Sequence, residues 1–320
     1  MNAQKSTLLF VPALEDRFWK KLLDLAPDVR GFIIDLEDSI HPKAKNRARE
    51  SVEQHIEVLQ ELRDAHSHLE ITLRINNCNT DFYDDDVELA VHLADQSLIT
   101  GLMYPKLEGV SEIERLATSV DTETVFLFPI IETLAGYKNY DELLSAEFGV
   151  QHTAIGAEDL CADMDIERPS VFYSNPLLHQ ISVDVALRAK MEGIHLWGNI
   201  WPYLTNSELL PDFYDEIVMD QQFGATGKIV FHPYQIEVVN NIFGPAHRHE
   251  AKKRVTLERL KAILQRSEEC GLSVSVHNGR MVDMPEFVRL KRWLEKLDDP
   301  EMEEEIRGMF PLFRTRYASE

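Results

Sequence analysis

Eight short apolar runs recur within the first 233 residues, each followed by a helical pattern, and this alternation limits the possible folds more than any other feature. The runs are TLLFVP (7–12), GFIID (31–35), EITLRIN (70–76), GLMYPK (101–106), VFLFPIIE (125–132), TAIGAED (153–159), IHLWGN (194–199) and GKIVFHP (227–233). Most are continuous rather than alternating, which is how strands buried on both faces read in a parallel sheet. Eight β-then-α units in about 245 residues match an α/β (β/α)8 TIM barrel, with a doubly wound open sheet as the alternative.

Helical signals fill the gaps. Asn175 and Pro176 predict an N-cap with proline at the first helical position, and Gly193 predicts that helix's end. Ser111 to Glu114 predicts a capping box. Lys43 to Arg63 carries a helical apolar stripe of Ala44, Ala48, Val52, Ile56 and Leu59. The expected division is a barrel over 1–245 and a C-terminal extension over 246–320. That extension reads as a long amphipathic helix ending at Gly271, a strand or hairpin in LSVSVHNGRMVDMP, a helix in EFVRLKRWLEKL, and a charged tail anchored by Met309, Phe310, Leu312 and Phe313. It is expected to pack on the barrel or on a neighbouring subunit and to supply an active-site lid.

The net charge of −22 repels phosphate backbones and anionic membranes, so nucleic acid and membrane are not expected partners. The three cysteines, Cys78, Cys161 and Cys270, are far apart and form no CxxC, against a disulfide framework or a structural zinc site. Without a signal-peptide pattern or a long apolar stretch, a cytoplasmic location is expected. GATGK at 224–228 lacks the spacing of a P-loop, because Gln222 stands where the first glycine is needed and Ile229 follows the lysine.

In a barrel the chemistry sits at the carboxyl ends of the strands. There the sequence places Asp35, Glu37 and Asp38 after strand 2, and Arg74 and Asn76 after strand 3. Lys106 follows strand 4, Glu132 strand 5, Glu158 and Asp159 strand 6, and His232 strand 8. Carboxylates from separate strands suit a hard divalent cation such as Mg²⁺. Glu132 and Asp159, from adjacent strands, form the best pair, with Glu158 as the alternative to Asp159. Arg74 suits a substrate carboxylate, because its planar fork binds both oxygens. Structural readings stand beside these: Asp35 as a helix cap, Arg74 as an ion-pair partner of Glu37 or Asp38, Lys106 as a solvated loop lysine. His195 and His232 read as hydrogen-bonded structural histidines, and Cys78 and Cys161 as packing residues.

The motifs LLFVPA, IIDLEDSIHPKAKNRAR, LRIN, YPK, IIET, GAEDL, GKIVFHPYQIEVVNNIF and GRMVDMP occur here in one order. In this the chain resembles the citrate lyase β-subunit-like proteins of the HpcH/HpaI aldolase superfamily, over residues 6 to 290. The resemblance implies a Mg²⁺-dependent carbon–carbon lyase or aldolase working through an enolate. Its substrate would be a small keto acid or an acyl-thioester of citryl, malyl or citramalyl type. It implies Glu132 and Asp159 as metal ligands, Glu37 and Asp38 as holders of metal-bound water, and Arg74 on the keto-acid oxygens. Asp283 of MVDMP would be the general acid–base, often supplied by a neighbouring subunit of a homotrimer or dimer of trimers. Lys45 and Arg49 match positions near the nucleotide of a coenzyme A thioester. Departures fall at Ala13, at CADMDIERPSVFYSN after strand 6 and at LWGNIWPYLTN after strand 7. They leave two rival expectations: an aldolase on free acids without coenzyme A, and a catalytically inactive barrel serving as a binding protein.

Overall fold

The computed structural model describes residues 5–203, 210–243, 274–277 and 280–283. The chain divides into two compact units, Met1–Gly244 and Pro245–Glu320. In the first, eight strands form a closed parallel barrel in sequence order: β1 (Thr7–Pro12), β2 (Gly31–Asp35), β3 (Glu70–Arg74), β4 (Gly101–Tyr104), β5 (Phe126–Ile131), β6 (His152–Ile155), β7 (His195–Gly198) and β8 (Gly227–Val230). The ring closes through Thr7 opposite Lys228 and Leu9 opposite Val230. Full closure leaves no open strand edge, so the doubly wound alternative is excluded.

Helices cover the outside. α1 (Asp16–Trp19) and α2 (Leu22–Leu25) follow β1, and α3 (Lys45–Gln54) and α4 (Ile56–Ala65) follow β2. The stripe expected as one helix is thus broken at His55, whose ring stacks on Trp19 at 4.5 Å. Next come α5 (Tyr83–Asp95), α6 (Val110–Ser119), α7 (Leu134–Lys138), α8 (Tyr140–Leu143), α9 (Ala157–Asp163), α10 (Pro176–Glu192), α11 (Leu210–Gln222) and α12 (Tyr234–Phe243). α10 begins as predicted, with Asn175 Oδ1 accepting from the N–H groups of Leu177 and Leu178, and it ends on Gly193 at φ 72°. The capping box at Ser111 does not form. α6 starts two residues earlier with Gly109 as its cap, and Glu112 instead accepts from the Tyr104 hydroxyl.

The continuous apolar runs reflect two cores. Leu8, Phe10, Ile33, Met103, Phe128 and Ile229 fill the barrel interior. Leu9, Val11, Phe32, Ile34, Leu73 and Leu102 point outward to the helices. In the second unit, β9 (Val274–His277) and β10 (Arg280–Asp283) pair antiparallel, with Asp283 opposite Val274. The helices expected up to Gly271 and over 286–297, and the anchors from Met309 to Phe313, lie outside the described residues. Among the described residues no helix is long and apolar enough to cross a membrane.

The amino end of the barrel is closed by polar groups. Arg30 Nε donates to Glu70 Oε1 at 2.8 Å, and Trp197 Nε1 donates to His152 Nδ1 at 2.8 Å. His152 is buried, and burial, with the nearby His195 and Arg30, pushes its pKa down to about 2. A histidine held neutral in the folded state binds its proton only on unfolding, so its contribution to stability is complete above about pH 6.5 and is lost as pH falls. At pH 5 the loss should reach about 2 kcal/mol. Urea unfolding at pH 7.5 and pH 5 checks this, and His152→Gln should flatten the slope by nearly one proton.

Candidate active site

The loop after β2 is shaped by its own acids. Asp35, 2% exposed, accepts from the backbone N–H of Glu37 at 2.9 Å and of Ser39 at 3.3 Å. No helix starts there, so Asp35 is a loop clamp rather than a helix cap. Its second role is to grip Arg74 at the end of β3, whose Nε and Nη2 reach the two Asp35 oxygens at 2.6 and 2.7 Å. Arg74 Nη1 also lies 3.1 Å from Glu37 Oε2, and the guanidinium stands 4.6 Å over the Phe10 ring. Burial works against the Asp35 charge, but Arg74 together with the hydrogen bonds from Ser39 and Glu37 outweighs it, and the Asp35 pKa is lowered. For Glu37 burial wins, and its pKa is raised despite Arg74 and Lys106. Arg74 therefore pairs with Asp35 and Glu37, and one N–H on each terminal nitrogen is left for a ligand.

Lys106 follows β4 and is not a solvated loop residue. Its ammonium lies 2.5 Å from Glu37 Oε1, 3.1 Å from Asp38 Oδ2 and 3.7 Å from Asp159 Oδ1. Its backbone N–H donates to Glu132 Oε1 at 2.7 Å. Burial opposes the charge, yet the Glu37 hydrogen bond and the surrounding acids raise the Lys106 pKa. The sequence hint is positional: Lys106 joins Arg74 as a cation among strand ends that otherwise carry Glu37, Asp38, Glu132 and Asp159.

Glu132 follows β5, and Asp159 lies in the first turn of α9 after β6, the neighbouring strand. Glu132 is 3% exposed, and burial followed by the field of Asp159 pushes its pKa up to about 8. Gly156 makes the space for it: a Cβ there would stand 2.1 Å from Glu132 Oε2. Glu158, the alternative to Asp159, turns the other way, with Oε1 3.2 Å from Arg168 Nε.

Lys45 and Arg49, expected beside a thioester nucleotide, have donors taken by the barrel itself. Lys45 is 5% exposed, and its ammonium donates to Leu36 O, Glu37 O and Asn76 Oδ1 at 2.7–2.8 Å. Those three bonds use all three N–H donors of an ammonium. Arg49 pairs with Asp86 at 2.7 Å and Asp85 at 2.8 Å and also donates to Asn46. Asp86 in turn accepts from the backbone and side chain of Asn76. This chain of bonds holds the peptides on either side of Glu37 from behind.

A second buried ionic group joins the two divergent loops. Arg168 Nη2 donates to Asn199 Oδ1 at 3.0 Å, to Ile200 O at 3.2 Å and to both oxygens of Glu216. On α11, Glu216 and Asp220 both accept from Lys228 of β8, at 3.0 and 2.7 Å, and Asp220 also bonds the Tyr173 hydroxyl. Glu216, Asp220 and Lys228 are fully buried. Sequence reasoning misses this group, though acids at 216 and 220 one helical turn apart, with a lysine mid-strand, are its signal.

The donor set at the mouth fits a hard divalent cation. Glu132 and Asp159 offer oxygen, a glycine keeps room for the first, and an ammonium already rests against Asp159 and its neighbours. Among the described residues no three or more His, Cys, Asp or Glu are grouped so as to hold a metal ion by themselves. Two carboxylates would leave the other positions to water and substrate, as Mg²⁺ sites commonly do. Asp283 belongs to the second unit, at the end of β10.

A model of the family described as C-C_Bond_Lyase of the TIM-Barrel fold matches residues 4–296. Citrate lyase subunit beta of Leuconostoc mesenteroides subsp. cremoris is 28% identical over 302 residues, covering 90% of this chain and 91% of that protein. An L-malyl-CoA/beta-methylmalyl-CoA lyase of Cereibacter sphaeroides is 27% identical over 305 residues, covering 86% and 89%. Among solved structures, a citrate lyase of Burkholderia xenovorans LB400 superposes with TM-score 0.76 at 15% identity, over 91% of each chain. Protein CitE of Mycobacterium tuberculosis, in complex with magnesium, acetoacetate and coenzyme A, gives TM-score 0.69 at 22% identity, over 93% of this chain and 100% of that one. The structural likenesses speak to the fold, and the family match, spanning most of the sequence, speaks to the chemistry. This chain belongs to the citrate lyase β-like C–C bond lyase family of the TIM-barrel fold and is a carbon–carbon lyase.

Proposed function

We propose that the protein makes or breaks a carbon–carbon bond in a small acid carried as a coenzyme A thioester of malyl, citramalyl or citryl type, with Mg²⁺ as its metal. The observation that carries this is the meeting, at one mouth, of Glu37, Asp38, Arg74, Lys106, Glu132 and Asp159 from five successive strand ends. Glu132 and Asp159 would hold the ion, which when bound supplies a Lewis acid for enolate charge. Glu37 and Asp38 would orient water around the ion. Arg74, held in place by Asp35, donates to the enolate oxygen. Asp283 is assigned the proton transfer on the second carbon fragment, on the resemblance alone, in a homotrimer or dimer of trimers. Lys45 and Arg49 support the loop that carries Glu37 and Asp38.

One observation favours a second reading, an aldolase on free acids: the donors of Lys45 are all taken, so it has none left for a nucleotide. A single assay separates the two. Malyl-, citramalyl- and citryl-CoA and the corresponding free acids are incubated with Mg²⁺ or with chelator, and keto-acid release is followed. Release from a thioester only, and only with Mg²⁺, is expected. Equal release from free acids would establish the second reading, and no release from any substrate would remove both.

A further inference from the structure

We propose that Lys106 is the resident counter-cation of the mouth: it occupies the carboxylates while no metal is bound and gives up Asp159 when a divalent ion arrives, freeing its ammonium for the substrate. The inference rests on the metal reading above and concerns how this chain's own lysine responds to the ion.

Three observations carry it. First, the ammonium is shared among Glu37, Asp38 and Asp159, with the contact to Asp159 the longest, at 3.7 Å. Asp159 is thus the partner most easily surrendered, and it is also the one assigned to the ion. Second, the backbone of Lys106 is fixed on both sides, whereas its side chain is held only through its ammonium. Lys106 has φ 50°, a left-handed conformation that non-glycine residues seldom adopt. Its N–H is tied to Glu132 Oε1 at 2.7 Å and its carbonyl to Asn77 Nδ2 at 2.9 Å. The long side chain is the part left to swing, and it is 33% exposed. Third, Arg74 is committed to Asp35 by two hydrogen bonds and Lys45 to three oxygens. Of these three cations, Lys106 alone combines an accessible side chain with a partner held at long range. Two cations on one carboxylate repel each other at short range, so occupancy of Asp159 by a divalent ion drives the ammonium toward open space, where a substrate carboxylate would meet it.

Amine acetylation followed by mass spectrometry tests this on the unmodified protein, with exposed Lys43 as the internal reference. Saturating Mg²⁺ should raise labelling of Lys106 severalfold relative to Lys43. Calorimetry of Mg²⁺ binding gives the second readout: Lys106→Met should bind the ion about tenfold more tightly, since a competing charge is gone. Mg²⁺ binding with unchanged or reduced Lys106 labelling, or unchanged or weaker binding by Lys106→Met, would overturn the inference and leave the metal reading intact. No Mg²⁺ binding by the unmodified protein would overturn both together.

Discussion

Glu132→Gln is expected to lower Mg²⁺ affinity by more than about a hundredfold, since changes to groups that merely support a ligand already cost ten- to a hundredfold, and to abolish lyase turnover. It should also stabilise the metal-free protein at alkaline pH. Burial and Asp159 push the Glu132 pKa up to about 8, so the folded state holds a proton that the unfolded state releases near pH 4.5. Stability of the metal-free protein therefore falls as pH rises between those values. The glutamine has no charge to bury and escapes that loss, roughly 2–4 kcal/mol at pH 8. Thermal unfolding in chelator at pH 5 and pH 8 measures it: the variant should match the unmodified protein at pH 5 and exceed it at pH 8. Added Mg²⁺ should raise the melting temperature of the unmodified protein only, by mass action on the folded state. A variant that keeps its Mg²⁺ affinity would remove Glu132 from the ligand set.

Lys228→Met should be the most damaging substitution for folding. The lysine is fully buried against Glu216 and Asp220, and removing one partner from a buried ionic group costs about 3–5 kcal/mol because a charge is left uncompensated. Asp220, already raised to about 6 by its burial, would then be driven to take up a proton. Urea unfolding at pH 7.5 should show the loss, and the pair Lys228→Met with Asp220→Asn should recover part of it, since both charges then leave together. Additive losses in the double variant would show that the two side chains do not act as a pair.

How much of this was readable from residues alone differs by scale. The eight strands are legible because a strand covered on both faces must be apolar at every position, and β2 and β5 show it plainly. The neighbour relation of β5 and β6, which brings Glu132 near Asp159, follows from strand order in a barrel. Pairings between neighbouring strand ends are another matter. Arg74 finds Asp35 because the two close the same rung of the β2–β3 ladder, a register that periodicity does not specify. Lys106 looked solvent-bound because a single left-handed residue redirects its side chain, and no residue type announces that conformation. Lys45 and Arg49 follow a helical pattern that gives spacing but not azimuth, so whether they face a ligand or the barrel is settled by tertiary packing.

Gly156 carries no functional group, yet it has a consequence for how such a mouth can be lost. Its missing Cβ is the volume into which the Glu132 carboxylate fits. One added methyl at that point would force the carboxylate aside while leaving every acid, the arginine and the lysine in the sequence unchanged. Within a lineage of such chains, silence could therefore arise through bulk rather than through the loss of any charged residue. A survey that scores activity by the presence of catalytic side chains would pass over the change. The position to inspect first is the one with nothing on it.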